Sequence, residues 1–139
     1  MRIHGIQACD VEGQPTLREV LPGFHRFCED TVLVAHNAAF DMRFLELGEA
    51  ETGVRFEQPV LDTLLLSAIV HRNLQDHSLE AIADRLGVPI VGRHTALGDA
   101  LMTSEIFLKL MALLTERGIV TLGQALEASR ETYYVRLQY

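Results

Sequence analysis

The sequence contains only two cysteines, Cys9 and Cys28, which are too few for a disulfide framework and lack the spacing of a metal site. No apolar run reaches the roughly 18 residues that a membrane-spanning helix needs. Residues 1–5 also lack the apolar stretch of a signal peptide. These absences predict a cytoplasmic protein without membrane contact.

Basic residues are also few, with 12 Lys and Arg against 19 Asp and Glu and a net charge of −7. This balance argues against a protein that holds nucleic acid mainly through a broad basic face. It does not argue against an enzyme that meets phosphates through bound divalent cations, because such a site needs acids. Charge alone therefore leaves the partner open.

The chain has 139 residues, about one domain's worth, and 48% of them are hydrophobic, which is enough for a core. The spacing of apolar residues predicts a helix-rich chain. Between Leu17 and Cys28 the spacing is helical, but Pro22 lacks the N–H and clashes with the preceding turn. We therefore expect a short helical turn and then a new helix that begins at Pro22.

Further helices are predicted along the rest of the chain. Ser78 is a good N-cap and Gly87 a good stop for a helix through Leu86. Other helices are expected over residues 38–51, 95–116 and 121–130, followed by an aromatic tail (Tyr133, Tyr134, Tyr139).

The run from Thr31 to Ala35 is β-branched and apolar, and it predicts a buried strand. Residues 54–60 are a weak strand or loop, and residues 62–70 are a helix or a strand-to-helix junction. A buried strand needs ladder partners on both sides, and the chain supplies at most one other strand. We therefore expect most of the sheet to lie elsewhere.

Polar residues follow the predicted strand. His36 and Asn37 stand at its carboxyl end, where sites form in α/β sheets, although either residue could be a plain cap or a core polar group. Asp41 falls in the first turn of the next helix, where an acid is favoured by the helix dipole alone. Asp62 is interpreted as a cap or a metal-site neighbour.

A second group of polar residues surrounds the start of the long helix. Gly98 costs that helix about 1 kcal/mol, so we expect something to pack closely against it. Asp99 follows, and His94 stands five residues before Asp99. The two could not share a face of one helix, but they can converge if His94 lies in the loop. Two carboxylates and a histidine can hold metal ions and activate a water molecule.

These residues belong to a series of short motifs in a particular order and spacing. The series is His4-Gly5-Ile6, then Val34-Ala35-His36-Asn37-Ala38 with Phe40-Asp41, then Leu61-Asp62-Thr63, then Ser78-Leu79 with Leu86-Gly87-Val88, and finally His94 with Asp99-Ala100. By this series the chain resembles the DEDDh, or DnaQ-like, 3′–5′ exonucleases. That family includes the proofreading epsilon subunit of bacterial DNA polymerase III.

The resemblance implies an α/β, ribonuclease H-like fold and two divalent cations, Mg²⁺ or Mn²⁺. It implies that Asp41 and Asp99 are metal ligands and that His94 is the general base, a role that suits a group with a near-neutral pKa. The residues implied to lie near the 3′ end of the nucleic acid are His36, Asn37 and Phe40, and Asp62 is a possible neighbour.

The family's first motif, D-x-E on the first strand of its sheet, supplies two more ligands and precedes H-G-I. Asp10-Val11-Glu12 has these letters, but it follows H-G-I and runs into a turn, so we do not assign it to that role. We therefore expect an incomplete exonuclease domain. Residues 1–118 would be its C-terminal portion, and residues 119–139 a helix and aromatic tail packed on the same domain.

The expected function is metal-dependent exonuclease activity at DNA or RNA 3′ ends. The alternative is a catalytically impaired nucleic-acid-binding or assembly module, and a third possibility is a structural partner that docks through the last helix and its tyrosines. Whether the chain is a fragment, a natural truncation or a domain completed by a second copy or another chain stays open. Strand exchange between protomers is a known route to such homodimers.

Overall fold

The computed structural model describes residues 5–90, 92 and 95–137. The secondary-structure elements, in chain order, are α1 (Ala8–Val11), α2 (Leu17–Phe27), β1 (Leu33–Ala35), α3 (Ala38–Thr52), β2 (Val60–Asp62), α4 (Thr63–Val70), α5 (Leu79–Leu86), α6 (Ala96–Glu116) and α7 (Leu122–Leu137). They form two compact units, which comprise Met1–Leu33 with Ala39–Pro59 and Val34–Ala38 with Val60–Tyr139.

In the first unit, α2 packs closely against α3. A Cβ placed on Gly48 of α3 would lie 2.7 Å from a methyl group of Leu21, the one side chain of α2 that is buried. Arg18 and Glu51 form an exposed ion pair between the same two helices, at 3.3 Å. Exposed ion pairs contribute little to stability, so this pair adds little to the close approach at Gly48.

The predicted break at Pro22 is wrong, because α2 runs through that residue from Leu17 to Phe27. Proline removes one intrahelical hydrogen bond, but two other features of the sequence favour the continuous helix. The backbone N–H of Thr16 donates to the Glu19 carboxylate at 2.7 Å, which completes a capping box. Leu21, directly before the proline, is buried, and the continuous helix places its side chain against α3.

The core of the second unit is built around α4, a short and strongly apolar helix. It packs against both α6 and α7, while α5 packs against α6 and α7 also covers β2. The most deeply buried side chains of this core are Leu66, Ile82, Ile106 and Leu110. The predicted ends of α5 are confirmed, because Ser78 caps its first turn and Gly87 closes it at φ 65°.

The two strands lie side by side in a small parallel sheet. The predicted strand is confirmed with the shorter bounds Leu33–Ala35, but its predicted burial is wrong, because all three residues are half-buried. Residue 62 is a strand-to-helix junction, since Asp62 ends β2 and caps α4. The described part of the chain is therefore a helix-rich α/β structure. None of its helices is both long and apolar enough to cross a membrane.

The last helix is longer than predicted. α7 extends to Leu137, so Tyr133 and Tyr134 lie on a helix and the expectation of an aromatic tail from about residue 131 is wrong for them. No Gly or Pro follows residue 130 to stop the helix, and Arg130 pairs with Glu127 one turn away at 2.7 Å. Tyr139 lies outside the described residues. The domain boundary at residue 118 stays a prediction.

Candidate functional site

Two strand-to-helix junctions stand next to each other in the second unit. β1 leads through His36 and Asn37 into α3, and β2 leads directly into α4 at Asp62. In parallel strands these carboxyl ends meet at one edge of the sheet, which is where α/β proteins place their sites. The sheet thus gathers three of the predicted residues at one place.

The carboxylate of Asp62 joins the two junctions. Its Oδ1 accepts hydrogen bonds from the backbone N–H of Asn37 and of Leu64, and its Oδ2 accepts one from Ala38, all at 2.9 Å. Backbone N–H groups at helix N-termini have no partner within the helix and carry partial positive charge, so a carboxylate suits them. Asp62 is therefore a cap that serves two helices at once.

His36 is held by the residue that follows Asp62. The fully buried hydroxyl of Thr63 donates to the carbonyl oxygen of Ala35 at 3.4 Å, and it lies 3.0 Å from Nδ1 of His36. Because a hydroxyl has one proton, a Thr63 that donates to Ala35 accepts its second hydrogen bond from Nδ1–H of His36. The half-buried imidazole is thereby fixed at the end of β1.

The start of α6 is also closely packed, as Gly98 predicts. The hydroxyl of Thr95 accepts a hydrogen bond from the Gly98 N–H at 3.1 Å and donates to the carbonyl oxygen of Gly92 at 2.5 Å. A Cβ on Gly98 would overlap that same carbonyl group. Asp99 comes next, half-buried in the first turn of α6.

The remaining predicted residues lie in different parts of the chain. Asp41 is exposed in the first turn of α3 within the first unit, and Phe40 is 64% exposed and stacks edge-on with Phe44 at 5.0 Å. His94 lies outside the described residues. Asp10 caps a one-turn helix by accepting the N–H of Gln7 at 2.8 Å, so it does not stand on a strand.

The predicted metal ligands are aspartates, and their chemistry suits a divalent cation. Carboxylate oxygens are the ligands that Mg²⁺ and Mn²⁺ prefer, so aspartates are chemically suitable. Among the residues that the structure describes, however, no three His, Cys, Asp or Glu side chains are grouped closely enough to hold a metal ion. The described residues therefore do not by themselves make a two-ion site.

One polar cluster was not foreseen from the sequence. In the second unit the buried Ser67 hydroxyl lies 2.9 Å from Nδ1 of His77 and 3.4 Å from Nδ1 of His71, and Arg85 donates to it at 3.4 Å. Burial, together with the positive charges of Arg85 and Arg117, lowers the pKa of His71. Because Ser67 is fully buried and His77 also contacts the carbonyl oxygen of Leu74, we interpret this cluster as a support for the loop after α4.

The sequence was also compared with known proteins. The family profile described as "Exonuclease" (RNase_T) matches residues 1–107, which include Asp41, Asp62 and Asp99. The chain belongs to the exonuclease family. The predicted resemblance to DnaQ-like exonucleases is thereby confirmed.

Relatives of this exonuclease-family chain carry names from bacterial replication. It is 47% identical over 131 residues to a DNA polymerase III subunit epsilon-like protein of Rhodobacter capsulatus, covering 93% of the chain and 19% of that protein. It is 37% identical over 123 residues to a PolC-type DNA polymerase III of Caldanaerobacter subterraneus, covering 88% of the chain and 9% of that protein.

A shorter relative is the DNA polymerase III subunit epsilon of Aquifex aeolicus, which is 38% identical over 111 residues. That match covers 79% of the chain and 55% of the Aquifex protein. The exonuclease-family chain thus spans only part of each of these relatives.

Proposed function

We propose that this chain acts as a metal-dependent 3′–5′ exonuclease domain that hydrolyses phosphodiester bonds at nucleic-acid 3′ ends. The observation that carries the proposal is the exonuclease-family match over residues 1–107. The replication names of the relatives favour DNA as the substrate. The net charge of −7 fits an enzyme that reaches phosphates through cations and acids.

In this proposal the roles follow the family motifs residue by residue. Asp41 and Asp99 each serve as a ligand for Mg²⁺ or Mn²⁺, which supplies electrostatic stabilisation at the phosphate when bound. His94 takes a proton from the attacking water, a task that suits an imidazole near neutral pH. His36, Asn37 and Phe40 contact the 3′-terminal nucleotide.

The described residues supply only part of the sheet and of the metal ligands that such an exonuclease site needs. The sheet of the described residues has two short strands, and these residues contain no group of three metal-binding side chains. Asp10 and Glu12 are exposed, at and beside a one-turn helix, and do not have the strand context of the family's D-x-E motif. We propose that the remaining strands and carboxylates come from outside the described residues. The possible sources include a longer protein and another chain, and a second copy is the source that the purified chain can supply itself.

The test is a nuclease assay on the purified chain. A 5′-labelled single-stranded DNA oligonucleotide is incubated with Mn²⁺ and with the wild type, Asp41→Asn, Asp99→Asn, His94→Ala or Asp84→Asn. Asp84 is an exposed acid on α5 and is the matched control. We expect stepwise shortening from the 3′ end by the wild type and Asp84→Asn, and none by the other three variants.

The same assay, repeated at several protein concentrations, tests whether a second copy completes the site. If a second copy completes the site, turnover per chain should rise with concentration and follow the dimer fraction measured by light scattering. Activity of a verified monomer would contradict the completion by another chain. The absence of shortening by a folded wild type at all concentrations would contradict completion by a second copy and an exonuclease activity of the isolated chain.

The second candidate is a catalytically impaired module that binds nucleic acid without cutting it. The observation in its favour is that the described residues contain no three-residue metal group. Titration with Mn²⁺ by calorimetry separates the two candidates. A complete site should bind two ions, whereas a module with Asp41 and Asp99 alone should bind at most one ion, and weakly.

A further inference from the structure

Asp62 makes more hydrogen bonds than a helix cap requires. To cap α4 it needs only the N–H of Leu64, two residues further along the chain. Its other two partners, the N–H groups of Asn37 and Ala38, lie 25 and 24 residues earlier, at the junction between β1 and α3. The carboxylate therefore holds a second, distant turn in place.

Asp76 provides a useful comparison within the same unit. Its Oδ1 accepts the N–H of Ser78 at 2.8 Å, again two residues further along and just before a helix. The chain thus contains two aspartates with the same local turn, and Asp62 alone of the pair also binds Asn37 and Ala38. The distant hydrogen bonds are the feature that distinguishes Asp62.

The turn that Asp62 holds has a conformation that benefits from support. Asn37 has a φ of 59°, in the left-handed region that non-glycine residues seldom adopt, although Asn tolerates it better than most. Its side chain is exposed, while the next residue, Ala38, is buried at 5% exposure. Hydrogen bonds to both backbone N–H groups stabilise this conformation and set the direction of the Asn37 side chain.

The residues next to Asp62 and Asn37 are also in contact with each other. Thr63, next to Asp62, lies 3.0 Å from the imidazole of His36, next to Asn37. Two consecutive side chains at the start of α4 thus hold two consecutive residues at the end of β1. Both held residues are ones to which the proposed function assigns contact with the 3′-terminal nucleotide.

We infer that Asp62 is a positioning residue, whose carboxylate fixes the turn at residues 36–38 so that Asn37 can contact the nucleic-acid strand. This inference rests on the proposed function. It assigns Asp62 a role different from that of a metal ligand, since both of its oxygens already accept backbone N–H groups. In the folded chain it acts through Asn37 and not on the substrate.

Asp62→Asn tests the inference with little damage elsewhere. The remaining oxygen can still accept from Leu64 and Asn37, and Asn is itself a good N-cap, so α4 stays capped. The new amide group, however, would point a donor at the Ala38 N–H, which leaves that partly buried group without its acceptor. Asp76→Asn is the matched control, because it makes the same chemical change at a carboxylate whose backbone N–H partner is the local one, Ser78.

The first readout is the affinity for a 5′-fluorescein-labelled single-stranded oligothymidylate, measured by anisotropy with Ca²⁺ in place of Mn²⁺. We expect Asp62→Asn to weaken binding about tenfold, because the loosened turn holds Asn37 in the binding conformation for a smaller fraction of the time, and Asp76→Asn to stay within about twofold. Asn37→Gly removes the side chain but keeps the positive φ, and it should weaken binding similarly.

The double variant, Asp62→Asn with Asn37→Gly, shows whether Asp62 acts through Asn37. Two residues that act as one unit have non-additive effects, so we expect the double variant to bind about as well as Asn37→Gly alone. A merely structural role of Asp62 would make the two losses multiply, and that result would overturn the inference.

Amide hydrogen exchange of Asn37 and Ala38, followed by NMR, shows whether the turn has loosened. Both amides should exchange faster in Asp62→Asn than in the wild type and Asp76→Asn. Unchanged exchange would overturn the inference regardless of binding. If the wild type binds the oligonucleotide and Asp62→Asn binds equally well, only the inference fails. If the wild type does not bind, the proposed function fails as well.

Discussion

The hydroxyl of Ser67 lies 2.9 Å from Nδ1 of His77, and both side chains are buried, with 0% and 4% of their surface exposed. The other ring nitrogen, Nε2, donates to the carbonyl oxygen of Leu74 at 2.9 Å. His77 therefore ties the loop after α4 to the middle of that helix. Ser67 is fully buried, so bulk water does not reach its hydroxyl in place of the imidazole.

Replacement of His77 by Ala should destabilise the fold by about 2–4 kcal/mol, because it removes both hydrogen bonds of a buried imidazole and opens a cavity. Urea unfolding of both proteins measures this difference. His71→Ala is the control, since His71 is more exposed and lies at a longer 3.4 Å from the same hydroxyl. Equal destabilisation by the two variants would show that His77 is not the structural tie.

The pKa of His71 predicts a dependence of stability on pH. Burial, followed by repulsion from Arg85 and Arg117, lowers this pKa below its ordinary value of 6.5. The unfolded chain therefore binds a proton near pH 6.5, and the folded chain binds it only at lower pH. Since the unfolded state then holds more protons, the free energy of unfolding falls as the pH drops below 6.5.

Thermal unfolding between about pH 5 and about pH 8 tests this dependence. We expect the melting temperature of the wild type to drop on the acid side, and that of His71→Gln to drop less, since the glutamine side chain does not titrate. Parallel curves for the two proteins would assign the acid sensitivity to other groups.

Two glycines should respond to alanine with opposite signs. In Gly98→Ala the new Cβ would lie 2.7 Å from the backbone carbonyl carbon of Gly92, so overpacking should cost about 1–3 kcal/mol. In Gly123→Ala nothing lies within 4 Å of the new Cβ, and the residue is helical. That change should stabilise the protein by about 0.5–1 kcal/mol.

Chemical unfolding of the two glycine variants beside the wild type is sufficient for the comparison. Alanine favours a helix at both positions, so a stabilised Gly98→Ala would mean that the turn at Gly92 is more open than the structure shows. A destabilised Gly123→Ala would mean that the start of α7 is not an ordinary helix.

Features that depend on neighbouring residues could be predicted from the sequence. The ends of α5 follow from Ser78 and Gly87, and the close approach at the start of α6 follows from Gly98. The strand before Ala35 follows from its β-branched, apolar composition. The order of the motifs predicted the exonuclease family, which the match over residues 1–107 confirms.

Features that depend on distant partners could not be predicted in this way. The carboxylate of Asp62 reaches Asn37 across 25 residues, and no local pattern indicates which N–H groups it binds. Helix α2 passes through Pro22 because its buried face contacts α3, and tertiary contact overrides local propensity there. Ser67 and His77 meet only because the loop between them folds back onto α4.

Arg117 ends α6 and donates from Nη2 to the carbonyl oxygen of Val70 at 2.6 Å, at the C-terminus of α4. A cation there complements the helix dipole, and the hydrogen bond is charge-assisted. Arg117→Met keeps much of the apolar stem but loses this bond, so we expect a loss of about 1–3 kcal/mol. Urea unfolding again measures this loss in the free energy of unfolding.

Arg130→Met is the control for Arg117→Met, because Arg130 pairs at 2.7 Å with the exposed Glu127 one turn away, and such pairs contribute at most about 0.5 kcal/mol. Arg117→Met should have a second effect that Arg130→Met lacks. Since the charge of Arg117 helps to lower the pKa of His71, its removal should raise that pKa, which NMR titration of the imidazole can measure. An unchanged His71 pKa together with unchanged stability would show that Arg117 does not hold the end of α4.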